Sequence, residues 1–223
     1  MRDFVALLSL ATATLTGVAA AAEPSVAAQF RMEEKLRHAP AQSHEWRLWR
    51  SDDHVLRQDL PAGEIEEWQR DGEVILHRRL YPADRRGVEF QPADLAMIQA
   101  QRSWADLSSI VPPEVLAQLD AGKTKVVKGI PQRTYAGKLD GVRWKVVLRT
   151  DLRVPVSVDR SDRDGRQRLT LVEAHPLSAT PWAAPDSGDY DVMDFADLGD
   201  HEHDPFAQRV EALIGLAQHG HSH

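Results

Sequence analysis

Cysteine is absent from all 223 residues. Without a thiol there is no disulfide staple, no cysteine nucleophile and no thioether-linked lipid, so stability has to come from an ordinary apolar core. The short motifs of common catalytic sites are missing as well: there is no G-x-S-x-G elbow, no H-E-x-x-H helix and no phosphate-cradling glycine loop. A hydrolase is therefore only a minor alternative, and it requires His54, His77 or His175 to sit in a cleft beside an acid or a hydroxyl. Positive charge is scarce too. Lys and Arg number 27 against 34 Asp and Glu, a net charge of -7 that is unchanged when Arg2 and Asp3 are removed with a leader. Such a chain lacks the basic face that neutralises phosphates, which argues against nucleic-acid binding, and it favours cationic partners, metal ions included.

The first 22 residues read as a signal peptide. Arg2 is followed by an apolar run from Phe4 to Ala22 that ends in alanines before Glu23, as the A-x-A cleavage rule requires. Thr12, Thr14, Thr16 and Gly17 make the same stretch a poor membrane helix. The expectation is an exported, periplasmic protein of about 200 residues with no stable membrane anchor, long enough for one domain or two small ones.

After a short polar entry, residues 45–80 alternate apolar and polar side chains through Trp46, Leu48, Val55, Ile65, Trp68, Val74 and Leu76, the period of antiparallel strands with one buried face. Asp71-Gly72 predicts a hairpin through a type I′ turn between 64–70 and 73–80, and Pro61-Ala62-Gly63 a further break. From Pro92 the spacing turns helical through Leu95, Ile98, Trp104, Leu107, Val115 and Leu119. Asp94 is placed to cap the first helix, Pro112-Pro113-Glu114 to open the second and Gly122 to end it. Strands return over 125–129, 132–137, 142–150, 154–161 and 166–174. The tight Asp140-Gly141 and Asp164-Gly165 links leave no room for crossover helices, so the whole sheet is expected to be antiparallel.

The run VVLRTDLRVPVSVDRSDRDGRQRLTLVEA, Val146 to Ala174, carries a family pattern. A strand ends in a short acidic turn, Pro155 opens the next strand, and Asp164-Gly165 returns a third. This resembles the LolA/LolB-like superfamily of periplasmic lipoprotein carriers, and the order of the earlier strands and helices extends the likeness over about 42–177. The resemblance implies a mainly β, α+β fold: a curved antiparallel half-barrel wrapped round helices, whose concave apolar face holds acyl chains or another hydrophobic ligand. It assigns no individual ligand residue. On this reading 23–180 form the half-barrel with helices near 94–121, and 181–223 form an acidic, histidine-rich segment with a C-terminal helix over 204–218.

Trp46, Trp68 and Trp144 fall where inward-facing strand residues are expected. They are either core or, on an open concave face, an aromatic wall for a hydrophobic ligand or partner segment. The Arg78-Arg79 and Arg85-Arg86 pairs, with Asp84 and Glu89 beside them, read as exposed strand and turn charges.

The end of the chain holds five of the ten histidines. Asp204-Pro205 predicts N-cap and N1 of the last helix, with Phe206, Val210, Leu213, Ile214 and Ala217 as its apolar stripe. His201, His203, Asp197 and Asp200 precede this helix and His219, His221 and His223 follow it. Imidazole with carboxylate suits zinc, copper or nickel rather than calcium. A helix of about 15 residues spans roughly 22 Å, so the two groups read as separate sites. The alternative is a solvated terminus whose acids suit the helix dipole. Two functions follow: a non-catalytic periplasmic carrier with an accessory metal tail, or a metal chaperone or storage protein in which the tail is the working part.

Overall fold

The computed structural model describes residues 24–61 and 63–219, with side chains through 214. The expected leader, Ala62, His221 and His223 lie outside the described residues, and His219 is described by its backbone alone.

Among the described residues thirteen strands form one sheet, curved and unclosed as the sequence led us to expect. The chain enters at its middle. β1 (Val26–Leu36) is the strand between the two halves of the sheet, paired with β2 (Gln42–Arg50) on one side and β12 (Gly165–Pro176) on the other. The expected short polar entry is thus a central strand. Its small and mixed side chains hide the period: Val26, Ala28 and Phe30 enter the main core, while Ala27 faces the opposite side.

From β2 the chain meanders outward through β3 (His54–Leu60), β4 (Ile65–Asp71), β5 (Val74–Tyr81) and β6 (Arg86–Phe90). It then has to reach the far edge, where β7 (Asp120–Ala121) and β8 (Lys125–Val127) pair with β9 (Ile130–Leu139). The helical interlude makes that journey across the concave face. α1 (Pro92–Met97), α2 (Trp104–Ser108) and α3 (Pro113–Gln118) set Leu95, Leu107, Val111 and Leu119 into the main core. From β9 the chain meanders back through β10 (Val142–Arg149) and β11 (Val154–Ser161) to β12.

Residues 177–190 then run over the convex face, where Leu177, Trp182 and Tyr190 cover a second cluster of Ala27, Trp49, Leu56, Ile65 and Leu80. β13 (Asp191–Asp194) pairs parallel with β6 at the sheet edge. This corrects the expectation of a wholly antiparallel sheet: the long strap supplies the crossover that the tight hairpins cannot. Gly87 permits the close approach, since a Cβ there would stand 2.6 Å from Leu80 and 3.3 Å from Val192. A 3₁₀ turn (Phe195–His201) and α4 (Pro205–His219) bring the chain back to the concave side, with Leu198, Phe206, Ala207, Val210 and Ile214 in the main core.

Local details depart from the sequence reading where hydrogen-bonding groups compete. Asp71 ends β4 opposite Val74, and positive φ occurs at Gly72 alone, so that hairpin is not type I′. The turns with two positive φ values are Lys128-Gly129 and Asp140-Gly141. At Asp164-Gly165 the Asp162 carboxylate accepts both amides, at 2.8 and 3.0 Å, and organises the turn instead. Asp94 is the N3 residue, not the N-cap, of α1: its carboxylate accepts the Gln91 N–H at 2.8 Å. α3 stops four residues before Gly122, whose N–H bonds to Thr134. Arg86 is no exposed charge: it is half-buried in β6, 2.6 Å from Asp204 and 4.3 Å above Phe206.

Candidate functional site

Strand alternation decides which side chains reach the concave face. On β1 and β2 these include Phe30, Met32, Trp46 and Leu48. On β10, β11 and β12 they include Trp144, Val146, Val158 and Leu169. Trp46 stacks on Phe30 with centroids 4.7 Å apart, and Trp144 lies under the Arg160 guanidinium at 4.5 Å.

Between these tryptophans and the α2–α3 connection is an open cavity of about 320 Å³, lined chiefly by Met32, Trp46, Val111, Val115, Trp144 and Leu169. Arg57 forms one rim. It donates to the Leu107 carbonyl at 3.2 Å, its Nε has no partner, and burial lowers its pKa. Trp46 and Arg57 also border a polar cavity of about 320 Å³ that holds His44, Asp59, Glu66 and Arg79. Burial raises the pKa of Asp59 in that stretch. Glu66 and Arg79 in turn border a third cavity, of about 190 Å³, beside Trp68 and His77. The three lie side by side along the concave face, sharing Trp46 and Arg57 between the first two and Glu66 and Arg79 between the last two: an apolar hollow, a charged cavity and an aromatic pocket. A mostly apolar hollow with a few placed polar groups is the usual form of a binding site, which singles out the Trp46–Trp144 stretch.

Of the three predicted wall tryptophans, the structure therefore brings Trp46 and Trp144 together. Trp68 belongs to the third cavity, buried and lying flat on the His77 ring at 3.7 Å.

The expected metal ligands ahead of α4 are not gathered. Asp197, Asp200, His201 and His203 are all exposed, and the contact made by His203 is with its neighbour Glu202 at 3.8 Å. Among the described residues no three His, Cys, Asp or Glu side chains group so as to hold an ion. Asp204 has structural work as predicted: it accepts the Phe206 N–H at the start of α4. Its pKa is lowered, first by Arg86 and then by that amide.

The histidines outside the tail have three distinct settings. His54 Nε2 is 2.8 Å from Glu67 Oε1, and the Ser187 hydroxyl donates to the same oxygen at 3.1 Å. The serine thus turns to the carboxylate and not to the imidazole, which is not the nucleophile-to-base contact that acyl transfer needs. His175 meets Glu173 at 2.9 Å, and Glu173 also accepts the Trp182 indole N–H at 3.1 Å. His77 is buried with neither ring nitrogen bonded. Sequence reasoning missed Arg57 as a cavity residue and offered His77 for a cleft only as a catalytic candidate. The usable signal was phase, because Arg57 shares the inward register of Val55, and His77 that of Trp68 and Phe90.

No family model and no curated protein matches the chain. Among solved structures it is similar to PNGF-II, at 11% identity and a TM-score of 0.40 over 79% of this chain and 32% of the other. It is similar to the Pseudomonas aeruginosa MucA/MucB complex structure, at 17% identity and 0.38, covering 73% of this chain and 53% of the matched one. The LolA superfamily is also among the matches. Its representative from Nitrosomonas europaea scores 0.32 at 7% identity, covering 76% of this chain and 91% of that one. The chain thus spans about a third of the PNGF-II chain and about half of the matched MucA/MucB chain. These similarities are of overall strand arrangement and say nothing of what the groove binds. Among the described residues no helix is long and apolar enough to cross a membrane.

Proposed function

We propose that this chain is an exported, non-catalytic binding protein that holds an acyl chain or a similarly apolar partner segment in the concave groove, with Trp46 and Trp144 as its walls. The observation that carries this reading is the open hollow between them, which leaves large apolar side chains facing empty space on the inner side of the sheet. Burying such surface against a ligand is worth about 25 cal/mol per Å², and a wall made of rigid indoles loses little side-chain freedom on binding. The guanidiniums of Arg57 and Arg160 line the same hollow, where a polar head can meet them while the chain lies against the indoles. Among the described residues no donor set is gathered, and zinc or copper uptake by the C-terminal histidines is accessory to this role.

The test uses residues 23–223 and a ligand with an uncharged head, monopalmitoyl glycerol, titrated by tryptophan fluorescence. Saturable binding should weaken by about ten-fold in Trp144→Ala, the equivalent of roughly 1.4 kcal/mol, and by a similar factor in Trp46→Ala. Absence of saturable binding, or binding untouched by both substitutions, would overturn the proposal.

A further inference from the structure

The third cavity has features the groove reading does not use. His77 is 3% exposed, fixed between Trp68 at 3.7 Å and Phe90 at 5.2 Å, with ring planes within 7° and 24° of theirs. Both faces of the imidazole are covered, and both ring nitrogens are buried without a partner. Leaving a buried polar group unsatisfied costs about 1–3 kcal/mol, and each such group in a folded protein calls for an explanation. The Nε of Arg79 is in the same position, buried and unbonded.

The rest of the lining is chemically consistent. Arg102, exposed in the α1–α2 connection, supplies a second guanidinium that makes no ion pair among the described residues. Glu66 lies 3.7 Å from Arg79. Burial, reinforced by the charges of Arg79 and then Arg102, holds His77 well below the usual histidine range and hence neutral at pH 7. The charged groups on the cavity are then two cations and one carboxylate, a surplus of one positive charge. Trp68, Phe90, Ile98 and Ile214 complete an apolar wall.

We propose that this cavity is a second, independent binding site, for a small monocarboxylate with a planar or short apolar body. Its carboxylate meets the guanidiniums of Arg79 and Arg102, and the edge of neutral His77 completes the hydrogen bonding. A guanidinium fork matches the two oxygens of a carboxylate. A neutral imidazole offers one donor and one acceptor. The volume of about 190 Å³ is below the roughly 300–1,000 Å³ of drug-sized pockets, which suits a compact acid better than a long chain.

The experiment follows the ring signals of His77 in the ¹⁵N-labelled protein, residues 23–223, while benzoate is added, with benzamide and inorganic phosphate as comparison probes. Benzoate should shift those signals saturably. Benzamide, which keeps the shape and loses the charge, should bind about ten-fold more weakly or less, the scale of one charge-assisted hydrogen bond. Arg102→Ala, a change on an exposed loop, should weaken benzoate by a similar factor, while Trp144→Ala should leave it unchanged and so separate this site from the apolar groove. No saturable shift, equal binding of benzamide, phosphate binding as tightly as benzoate, or indifference to Arg102→Ala would each overturn the proposal.

Discussion

The two faces of the sheet carry the same kinds of residue and treat them differently. On the convex face Trp49 meets Trp182 edge-on at 5.3 Å, Arg47 lies 4.9 Å above Trp182, and the Trp182 indole donates to Glu173. The chain itself closes this cluster with the strap of residues 177–190. On the concave face Trp46 and Trp144 also have ring and guanidinium neighbours, yet the interlude helices span the face without filling the space between the two indoles. A tryptophan in register with the core is therefore not enough to define a site. What matters is whether a later segment of the same chain covers it. The strap spends its apolar side chains on the convex side, and the concave hollow is left for something else.

The largest expected effect tests what holds the concave face in shape. Arg50, fully buried, donates to the carbonyls of Ser108 at 2.8 Å, Leu152 at 2.9 Å and Pro24 at 2.9 and 3.2 Å. One side chain thereby ties the entry of β1 to the end of α2 and to the β10–β11 turn. Arg50→Met keeps much of the volume and strands those carbonyls, so it should destabilise by about 3 kcal/mol or more, read as a lower urea midpoint at unchanged slope. A loss below about 1 kcal/mol would mean that the helices hold the hollow open without this tie. Next in size is the strap. Trp182→Ala should cost about 2–3 kcal/mol, below the roughly 3–5 kcal/mol of fully buried aromatic truncation because the ring is only half-buried. Trp144→Ala, at the open wall, should cost clearly less. Equal costs would erase the contrast between a closed and an open face.

Most of the sheet was legible because alternation and turn chemistry are local: the bounds 154–161 were read to the residue, and the Asp204-Pro205 start of α4 held. The parts that were not legible depend on distant partners. β1 reads as filler because alanines on both faces of a central strand blur the period. β6 hides behind arginines that look solvent-bound until Asp204 and Phe206 arrive from more than a hundred residues away. Trp46 and Trp144 were legible as inward-facing, but their union in one hollow, and the separation of Trp68, depend on where the interlude helices cross. Asp197, Asp200, His201 and His203 are close in sequence but exposed and ungrouped among the described residues, because the segment that carries them packs through Leu198 and leaves its polar side chains to solvent.

The smallest effect probes a contact that fastens the strap to the sheet. Glu67 is nearly buried on the convex side of β4, receiving His54 from β3 and the Ser187 hydroxyl from the strap. Its pKa is lowered from the ordinary 4.5, first by the hydrogen bond from His54, then by that residue's charge, Ser187 and Arg78, while burial opposes the shift. Because the folded value lies below the unfolded one, this carboxylate contributes stability that is present above about pH 4.5 and is lost as the pH falls through the folded value. Glu67→Gln keeps the shape and removes the titration. At pH 7 it should cost about 1 kcal/mol. The gap between wild type and variant should narrow on acidification below pH 4.5, at no more than about 1.4 kcal/mol per pH unit. Other lowered carboxylates, Asp159 and Glu173 among them, acidify both proteins alike, so the difference between the two denaturation series isolates Glu67. A gap that stays constant from pH 7 to pH 3 would show that Glu67 does not fasten the strap, and would leave that work to Trp182, its contacts with Glu173 and Arg47, and its apolar neighbours.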